Sequence, residues 1–226
     1  MIKSRPMAKT RVIIIAADPN PNARAFNGKP RHLVKIENEV LLHRTAKQFL
    51  KYTDDVCIVG SSESYVADGC KSFIVNVHNT NYADAGKFMS SQHLWIRNGR
   101  TVLVFGDVWF STDAVKAIMT DKDALKFYLR SDASTVHRNE RKEIFSLAFT
   151  DARLTEVHQK LLHLVSGIEN QKDAEWGLYR RLIGTTPAGL FANPLFMNID
   201  DWTQDFDSYE DLTNWEEDRK ESRKKK

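Results

Sequence analysis

Near the middle of the chain, an apolar run of the kind that forms buried strands is followed by a glycine and then by an aspartate. The run is Thr101–Phe105, and the next two residues are Gly106 and Asp107. A carboxylate in this position is well placed to bind Mg²⁺ or Mn²⁺, because both ions prefer carboxylate oxygens and nucleotide phosphates complete their coordination. A turn or a helix cap would use the same residue type. The pattern therefore makes Asp107 a candidate metal ligand.

A cationic loop follows the first apolar run of the chain. Arg24, Lys29 and Arg31 lie within eight residues of one another, and the loop that leads to them is rich in proline and asparagine. A loop between a first strand and its helix is a natural phosphate cradle, and the planar fork of arginine fits pairs of phosphate oxygens. The segment indicates phosphate binding, although a solvated surface loop with scattered charge would have the same composition.

The third candidate is an acidic segment near the C-terminus, from Asp200 to Asp211. Two carboxylates from distant parts of a chain are needed to clamp a metal ion against phosphates, so one acid of this segment is a candidate partner for the aspartate after the glycine. The alternative is a set of helix caps on an acidic surface, since Ser208 and Asp211 have the spacing of a capping box.

The elements that would position these residues alternate between strand and helix. Apolar runs without polar alternation predict buried parallel strands, and apolar residues three and four apart predict helices. We therefore expect a three-layer α/β/α fold with a mainly parallel, mixed sheet, which binds ligands beyond the carboxyl ends of its strands. The predicted strands cover residues 11–18, 55–60, 73–77, 101–105 and 144–149, with a last short one from 198, and the predicted helices cover 41–52, 61–68, 85–97, 112–120, 156–165 and 174–183.

Composition indicates one globular domain with a charged end. The chain has 226 residues, of which 42% are hydrophobic and 28% charged, as is ordinary for a soluble domain. The net charge is +3, yet the last eight residues hold six cations and one acid. The nearly neutral remainder argues against a large nucleic-acid-binding surface. We expect a single domain over residues 1–215 and a disordered, solvated tail over residues 216–226.

Cysteine usage and hydropathy bear on the compartment. Cys57 and Cys70 have neither metal-ligand nor disulfide-framework spacing, which favours a reducing compartment. The longest fully apolar run, Val12–Ala17, is too short to span a bilayer, and the first ten residues lack the apolar region of a signal peptide. These features predict a cytoplasmic protein without a membrane partner, and they do not indicate an oligomeric state.

The opening segment resembles that of sugar-phosphate nucleotidyltransferases, in the nucleotide-diphospho-sugar transferase superfamily with its GT-A-like fold. In that family the first strand is followed by an AAG-x-G-x-R loop, a P-K-x-L segment and a pLl-rt helix. The resemblance implies that Arg24 and Arg31 hold the triphosphate. The loop glycines are absent, with Asp18 and Asn20 or Asn22 there instead, and Lys29 could replace the signature lysine from two positions away. The matching residues are Ala16-Ala17, Arg24, Pro30-Arg31-x-Leu33 and Leu41-Leu42-x-Arg44-Thr45.

Three further segments extend the resemblance. The family's G-D-v-x-f strand end implies that Asp107 binds the metal. The D-x-D-T-P-E-D-L ending of cytidylyltransferase-like members implies Asp207 as the second metal ligand, with Asp205 as the near alternative. The loop before residues 144–149 faces the acceptor in the resembled enzymes, which makes Glu143 a candidate acceptor contact. Residues 79–91 resemble the family's N…G…S stretch, which implies nucleotide-binding roles for Asn81, Gly86, Lys87 and Ser90. The match at the end of the first strand implies the same role for Ala16, Ala17 and Asp18.

Three functions are compatible with these residues. The first is a metal-dependent nucleotidyltransferase that joins a nucleoside triphosphate to a sugar phosphate or phospho-alcohol and releases pyrophosphate. The second is a glycosyltransferase of the same fold that uses a nucleotide sugar. The chain also resembles small transferases encoded by bacteriophages, and for such a glycosyltransferase a modified base in DNA is a conceivable acceptor. The third is a degenerate member that only binds nucleotide. The first two imply Mg²⁺ or Mn²⁺ as cofactor.

Overall fold

The computed structural model describes residues 9–17, 25–26, 28–75, 83–139, 141–166, 174–183 and 193–225. The strands are β1 (Lys9–Ala16), β2 (Ala25–Phe26), β3 (Lys29–Pro30), β4 (Lys35–Ile36), β5 (Glu39–Val40), β6 (Val56–Gly60), β7 (Lys71–Ile74), β8 (Gly99–Phe105), β9 (Val108–Trp109), β10 (Leu125–Arg130), β11 (Glu143–Thr150), β12 (Phe196–Asn198) and β13 (Gln204–Asp205). The α-helices are α1 (Leu41–Phe49), α2 (Ala83–Ser90), α3 (Thr112–Thr120), α4 (Asp151–Val165), α5 (Ala174–Ile183) and α6 (Tyr209–Lys224), and 3₁₀ helices span Arg31–Leu33 and Gln92–Leu94.

Seven strands form one mixed sheet in the order β12-β10-β11-β8-β1-β6-β7. Strand β11 runs antiparallel to both of its neighbours, and the other neighbouring pairs are parallel. The run Val12–Ile15 in β1 has no polar alternation and is buried, as expected for a strand that is covered on both faces. The predicted fold class, a three-layer α/β/α arrangement with a mainly parallel, mixed sheet, is confirmed.

Helices α2, α4 and α5 contact one another, and α1 contacts both α3 and β1. Helix α4 buries Val157, Leu161 and Leu164 along one side, the spacing of an amphipathic helix. Ser111 caps α3, because its hydroxyl accepts a hydrogen bond from the backbone N–H of Ala114 at 2.9 Å. These helices cover the sheet and leave the loops at its carboxyl edge to form the candidate site.

Several elements differ between sequence and structure. The helix predicted over residues 85–97 is shorter, since α2 ends at Ser90 and a 3₁₀ turn follows at Gln92–Leu94. The strand predicted over residues 73–77 is observed at Lys71–Ile74. The expected helix over residues 61–68 is wrong, since the segment forms bends and turns. There Ser62 uses its hydroxyl to accept from the N–H of Ser64, and its carbonyl accepts from Tyr65; such local bonds compete with a helix. Strand β10 was not predicted, and it inserts between β11 and β12.

A second apolar cluster lies beside the main core and holds the short ladders β4–β5 and β9–β13. Trp109 lies between two guanidinium groups, with the Cζ of Arg44 3.8 Å and the Cζ of Arg219 4.2 Å from its ring centroid. The cluster therefore connects α1, β9 and α6. Its buried members are Phe26, Val34, Ile36, Leu41, Trp109, Phe206, Leu212 and Trp215.

The expected disordered tail over residues 216–226 is corrected by α6, which continues to Lys224. The helix begins with a reciprocal capping box between Ser208 and Asp211, as in the alternative considered from the sequence. Arg219 then stacks on Trp215 at 4.6 Å and pairs with Glu37 at 3.2 Å. Because these contacts tie the charged segment to the second cluster, it is ordered through most of its length.

No helix within the described ranges is both long and apolar enough to cross a membrane. Cys57 is a buried free thiol within the apolar strand β6, and Cys70 is a partly buried free thiol. Burial raises the pKa of both thiols, that of Cys70 to about 11.

Candidate active site

The candidate site lies at the carboxyl edge of the sheet, where β1 and β8 end side by side. The N–H of Gly106 donates to the carbonyl of Ile15 at 2.9 Å, which ties the end of β8 to β1. A Cβ on Gly106 would lie 3.1 Å from Cδ2 of His32 and 3.3 Å from the Cβ of Ala16. The glycine thus leaves space for the 3₁₀ turn of Arg31–Leu33 to pack against the strand end, beside Asp107.

The central feature is one arginine that contacts two carboxylates. Nη2 of Arg31 lies 2.5 Å from Oδ2 of Asp107, and its Nη1 lies 3.1 Å from Oδ1 of Asp207. The side chains of Arg31 and Asp107 are buried, whereas that of Asp207 is 42% exposed. Arg141 lies on the outer side, with Nη1 3.5 Å from the other oxygen of Asp207. Two acids that are distant in sequence therefore converge on one cationic group.

The charge state of Asp107 is set by its cationic surroundings. Burial alone would raise its pKa, but Arg31, His32 and Lys87 lower it to about 2. Nε2 of His32 is 3.9 Å from Oδ2 of the aspartate. Lys87 is buried on α2 and acts on the same carboxylate. Asp107 is consequently an anion at every physiological pH.

Asp205 is the third acid of the site. It is paired with Val108 in the antiparallel β9–β13 ladder, so its backbone lies next to the residue that follows Asp107. Its Oδ1 is buried and accepts no hydrogen bond within the described part of the chain. Burial, followed by the charges of Asp107, Asp207 and Glu143, raises its pKa well above the usual value, although Arg31 opposes the shift. Asp205 is therefore a carboxylate that lacks a sufficient counter-charge.

Glu143 lies next to this acid, at the start of β11. Its Oε2 accepts a 2.6 Å hydrogen bond from Nη2 of Arg130, and its Oε1 accepts from Asn139 at 3.2 Å and from Gln204 at 3.4 Å. Burial raises the pKa of Glu143 to about 7, against the opposing effects of Arg130, Asn139 and the backbone N–H of Asp205. Glu143 thus titrates near neutral pH at one side of the acid cluster.

The other predicted nucleotide contacts lie at various distances from this centre. Ala16 and Ala17 are buried at the end of β1, and Gly86, Lys87 and Ser90 lie on α2, where the hydroxyl of Ser90 donates to the carbonyl of Lys87 at 2.6 Å. Lys29 is exposed in the β2–β3 hairpin and lines a cavity of about 360 Å³ with Phe26, Tyr209 and Leu212. It has no ion pair with the described acids. Arg24, Asp18 and Asn81 lie outside the described residues.

Four residues of the site were missed or discounted from the sequence. His32 directly follows Pro30-Arg31 of the matching segment but has no metal-ligand spacing of its own. Arg130, Arg141 and Gln204 carried no motif. A signal was available for Gln204, because it is adjacent to Asp205 in the acidic segment. The other contacts depend on how strands pair in the sheet, which single-residue patterns do not reveal.

The described acids and histidines alone do not form a complete metal cage. Within those ranges, no group of three or more His, Cys, Asp or Glu side chains has the arrangement to hold a metal ion. Mg²⁺ is commonly held by one or two carboxylates, with waters and substrate phosphates at its other positions. The described residues therefore offer two converging carboxylates that are bridged by a guanidinium.

Three solved structures with the same architecture are named as nucleotidyltransferases. A Bacillus anthracis protein assigned as a glucose-1-phosphate thymidylyltransferase has a TM-score of 0.59 and 13% identity, with 91% of this chain and 93% of that chain covered. The CTP:phosphocholine cytidylyltransferase of Streptococcus pneumoniae has a TM-score of 0.60 and 12% identity, with 92% and 98% covered. The chain has the α/β fold of these transferases. An inositol-1-phosphate CTP transferase from T. maritima has a TM-score of 0.55 and 13% identity, with 96% and 97% covered.

No protein-family model matches the chain, and no curated protein is a significant match. At 12–13% identity, the structural similarity shows the fold alone. Any function must therefore be argued from the residues at the carboxyl edge of the sheet.

Proposed function

We propose that this protein is a metal-dependent nucleotidyltransferase. It would join a nucleoside triphosphate to a sugar phosphate or phospho-alcohol and release pyrophosphate. The observation that carries the proposal is the convergence of Asp107 and Asp207 on the guanidinium of Arg31, at the carboxyl edge of the sheet. This edge is where open α/β sheets bind ligands, and the structural neighbours are named as nucleotidyltransferases, which supports the reaction class.

The donor set of the site fits a divalent cation. Asp107 is anionic, and Asp205 has a buried oxygen without a hydrogen bond among the described residues. Carboxylate oxygens are the donors that Mg²⁺ and Mn²⁺ prefer. Asp107 with Asp205 or Asp207 would hold the ion. When bound, it would supply positive charge to the phosphate oxygens.

The cations of the site have the complementary role. Arg31 can present its donors in pairs to phosphate oxygens once it no longer bridges the two carboxylates. The buried ammonium of Lys87 is near Asp107 and adds positive charge on the α2 side. We propose that Arg24 and Lys29 contribute further charge from the first loop. Neutralising the phosphates and holding the reactants in line would account for most of the catalysis.

The reaction needs no covalent enzyme intermediate. A phosphate oxygen of the acceptor would form a bond to the α-phosphorus, while the bond from that phosphorus to the pyrophosphate oxygen breaks and pyrophosphate leaves. We propose that Glu143 contacts the acceptor, because it borders the acid cluster on the β11 side. Ala16, Ala17, Asp18, Asn81, Gly86 and Ser90 stay candidate nucleotide contacts.

The choice between Asp205 and Asp207 rests on their surroundings. Asp207 has two arginine partners, Arg31 and Arg141. Asp205 is held beside Asp107 by the β9–β13 ladder, and its pKa is raised first by burial and then by the charge of Asp107. A cation would relieve this repulsion. We therefore favour Asp205 as the ligand that joins Asp107, with Asp207 as the alternative.

A thermal-shift screen tests the proposal. Nucleoside triphosphates and nucleotide sugars are compared, each with and without Mg²⁺ or Mn²⁺. A ligand at a hundred times its Kd stabilises the fold by about 2.7 kcal/mol, which corresponds to roughly 5–10 °C in a chain of this length. We expect the largest metal-dependent shift with a triphosphate, followed by pyrophosphate release when sugar phosphates or phosphocholine are added.

Two other outcomes would change the assignment. Metal-dependent stabilisation by nucleotide sugars, with release of a nucleoside diphosphate, would favour the glycosyltransferase alternative. Absence of any metal-dependent nucleotide binding would contradict both transferase hypotheses. A DNA acceptor, a bacteriophage origin and a cytoplasmic location stay predictions, as neither the fold nor the site chemistry bears on them.

A further inference from the structure

Arg130 is a buried cation at the carboxyl end of β10, outside the set of residues that the proposed reaction uses. Its side chain is 1% exposed. Burial of a guanidinium is costly unless its donors are satisfied. The partners of Arg130 therefore indicate what the fold gains from keeping a charge in this position.

The guanidinium group connects several separate segments at the edge of the site. Nη2 donates to Oε2 of Glu143 at 2.6 Å and to the side-chain oxygen of Gln204 at 3.1 Å. Nη1 donates to the carbonyl of Thr203 at 3.3 Å, and Nε donates to the carbonyl of Arg141 at 3.3 Å. These partners come from the loop before β11, from β11 itself and from the segment that enters β13.

Two of these partners lead directly to Asp205. Gln204 is its neighbour in β13, and the side-chain N–H of Gln204 donates to the backbone carbonyl of Asp205 and to Oε1 of Glu143. The backbone N–H of Asp205 also acts on the carboxyl group of Glu143 and lowers its pKa. On its other side, β13 is held by the ladder to β9. The backbone of Asp205 is therefore fixed between β9 and the Arg130 network.

We propose that Arg130 is a positioning residue that sets the distance between the carboxylates of Asp205 and Asp107. It does so through Gln204, Thr203 and Glu143, and it holds Glu143 on the acceptor side. The inference rests on the proposed function, because the distance matters for a cation that both aspartates share. Partners that orient metal ligands typically change metal affinity or activity by about 10- to 100-fold when they are replaced.

The geometry of arginine is central to this role. Its planar fork offers donors in several directions at once, whereas lysine offers a compact charge. Arg130→Lys would keep a cation near Glu143, but it would not contact Thr203, Gln204 and the carbonyl of Arg141 together. A purely electrostatic role would survive this substitution, and a positioning role would not.

Arg100 provides a matched control at the opposite end of the sheet. It is also buried, and its guanidinium donates to the carbonyl of Ile118 and to the hydroxyl of Tyr128, both at 2.9 Å. Arg100→Lys therefore removes a comparable buried fork without contact with the candidate site. Comparison of the two variants separates loss of positioning from general loss of stability.

The test measures Mn²⁺ affinity by water proton relaxation, together with kcat and KM for pyrophosphate release. We expect R130K to raise the Kd for Mn²⁺ by about tenfold and to lower kcat more than it raises KM, while R100K keeps the wild-type values. Gln204→Met is the second variant, and it should weaken Mn²⁺ binding in the same direction. If R130K does not fold, the Kd of Gln204→Met for Mn²⁺ alone tests the positioning role.

Wild-type Mn²⁺ affinity in both R130K and Gln204→Met would overturn the positioning role while leaving the proposed function intact. Equal losses in R130K and R100K would also overturn it. A wild-type protein that neither binds Mn²⁺ nor releases pyrophosphate would refute the proposed function, and the role of Arg130 with it. The wild-type signal therefore distinguishes the two failures.

Discussion

Nη2 of Arg31 lies 2.5 Å from Oδ2 of Asp107, and both side chains are buried. The same guanidinium reaches Asp207 at 3.1 Å, so the chain itself supplies the positive charge that two converging carboxylates require. A divalent cation that binds Asp107 must weaken the contact with Arg31. The freed fork would then be available to phosphate oxygens, so the account predicts that metal binding promotes nucleotide binding.

Removing the charge of Asp107 should abolish most of the activity. In Asp107→Asn, we expect kcat/KM for pyrophosphate release to fall by about a hundredfold, equivalent to about 3 kcal/mol of transition-state stabilisation. The free energy of unfolding should also fall, by about 3 kcal/mol, because buried Arg31 loses its closest partner. Steady-state kinetics and urea denaturation measure the two effects.

Asp54→Asn is the control for this substitution. Asp54 is exposed and precedes β6, at the amino end of that strand. We expect no change in kcat/KM and less than about 0.5 kcal/mol in stability. Activity in Asp107→Asn equal to that of this control would contradict a role for Asp107 in the reaction.

Asp205 and Asp207 should respond differently to neutralisation. The pKa of Asp205 is raised by burial and by Asp107, so its ionised form opposes folding above the usual carboxyl pKa. Asp205→Asn should therefore stabilise the metal-free protein at neutral pH and remove the stabilisation by Mn²⁺. Asp207→Asn should retain the response to Mn²⁺. Thermal melts with and without Mn²⁺ distinguish them, and the reverse pattern would make Asp207 the ligand.

Glu143 should give stability a pH dependence near neutrality. Its pKa is raised to about 7 from an unfolded value of 4.5, so the folded state binds more protons than the unfolded state between these values. Stability is then lost as pH rises from about 4.5 to 7, by up to about 3 kcal/mol at 1.4 kcal/mol per pKa unit. Glu143→Gln should flatten this part of the curve of unfolding free energy against pH. An unchanged slope would contradict the assignment.

Gly106 should be required for the approach of the Arg31–Leu33 turn. A Cβ there meets His32 at 3.1 Å and the carbonyl of Ile15 at 3.2 Å, so Gly106→Ala should cost about 1–3 kcal/mol through overpacking and should weaken Mn²⁺ binding. Gly99→Ala is the control, since its Cβ would collide with a carbonyl at the other end of β8. We expect it to lower the melting temperature and to leave the Kd for Mn²⁺ unchanged. Equal Mn²⁺ affinity in the two variants would contradict the account.

The order of α6 should depend on Arg219. Arg219→Ala removes a cation that stacks on Trp109 and Trp215, and we expect a loss of about 1 kcal/mol. The control is Lys220→Ala, which changes the next residue. The side chain of Lys220 is 70% exposed, so its loss should change stability by less than about 0.5 kcal/mol. Helical content by circular dichroism and the denaturation midpoint measure both. If the two variants behave alike, the segment is not held by this stack.

The parts of the fold that sequence predicted are those in which one local pattern has one explanation. The continuous apolar run Val12–Ala17 predicts a buried parallel strand, and the apolar run before Gly106 predicts another. Strand β10 was not predicted, although Lys126, Tyr128 and Arg130 alternate with apolar residues in the pattern of a strand with one solvent-facing side. Their polar ends are nevertheless buried and satisfied, by contacts such as Tyr128 with Asp121 and Lys126 with the carbonyl of Pro194. Only the neighbouring elements make such a strand possible.

The candidate site was predicted in its acids more fully than in its cations. Asp107 and the acidic segment follow recognisable patterns, and they do lie together in the structure through Arg31. Sequence could not separate Arg31 from Lys29, although one is buried at the centre and the other is exposed in a hairpin. The role proposed for Arg130 depends on partners from three segments, which only the folded chain brings together.

The most direct test of the central claim is a crystal structure with Mn²⁺ and a non-hydrolysable nucleoside triphosphate, with the ion located by its anomalous signal. The account predicts a peak within about 2.0–2.3 Å of a carboxylate oxygen of Asp107 and of Asp205 or Asp207, with Arg31 moved onto the phosphates. A peak away from these carboxylates, or Arg31 still bridging Asp107 and Asp207 beside bound nucleotide, would contradict it.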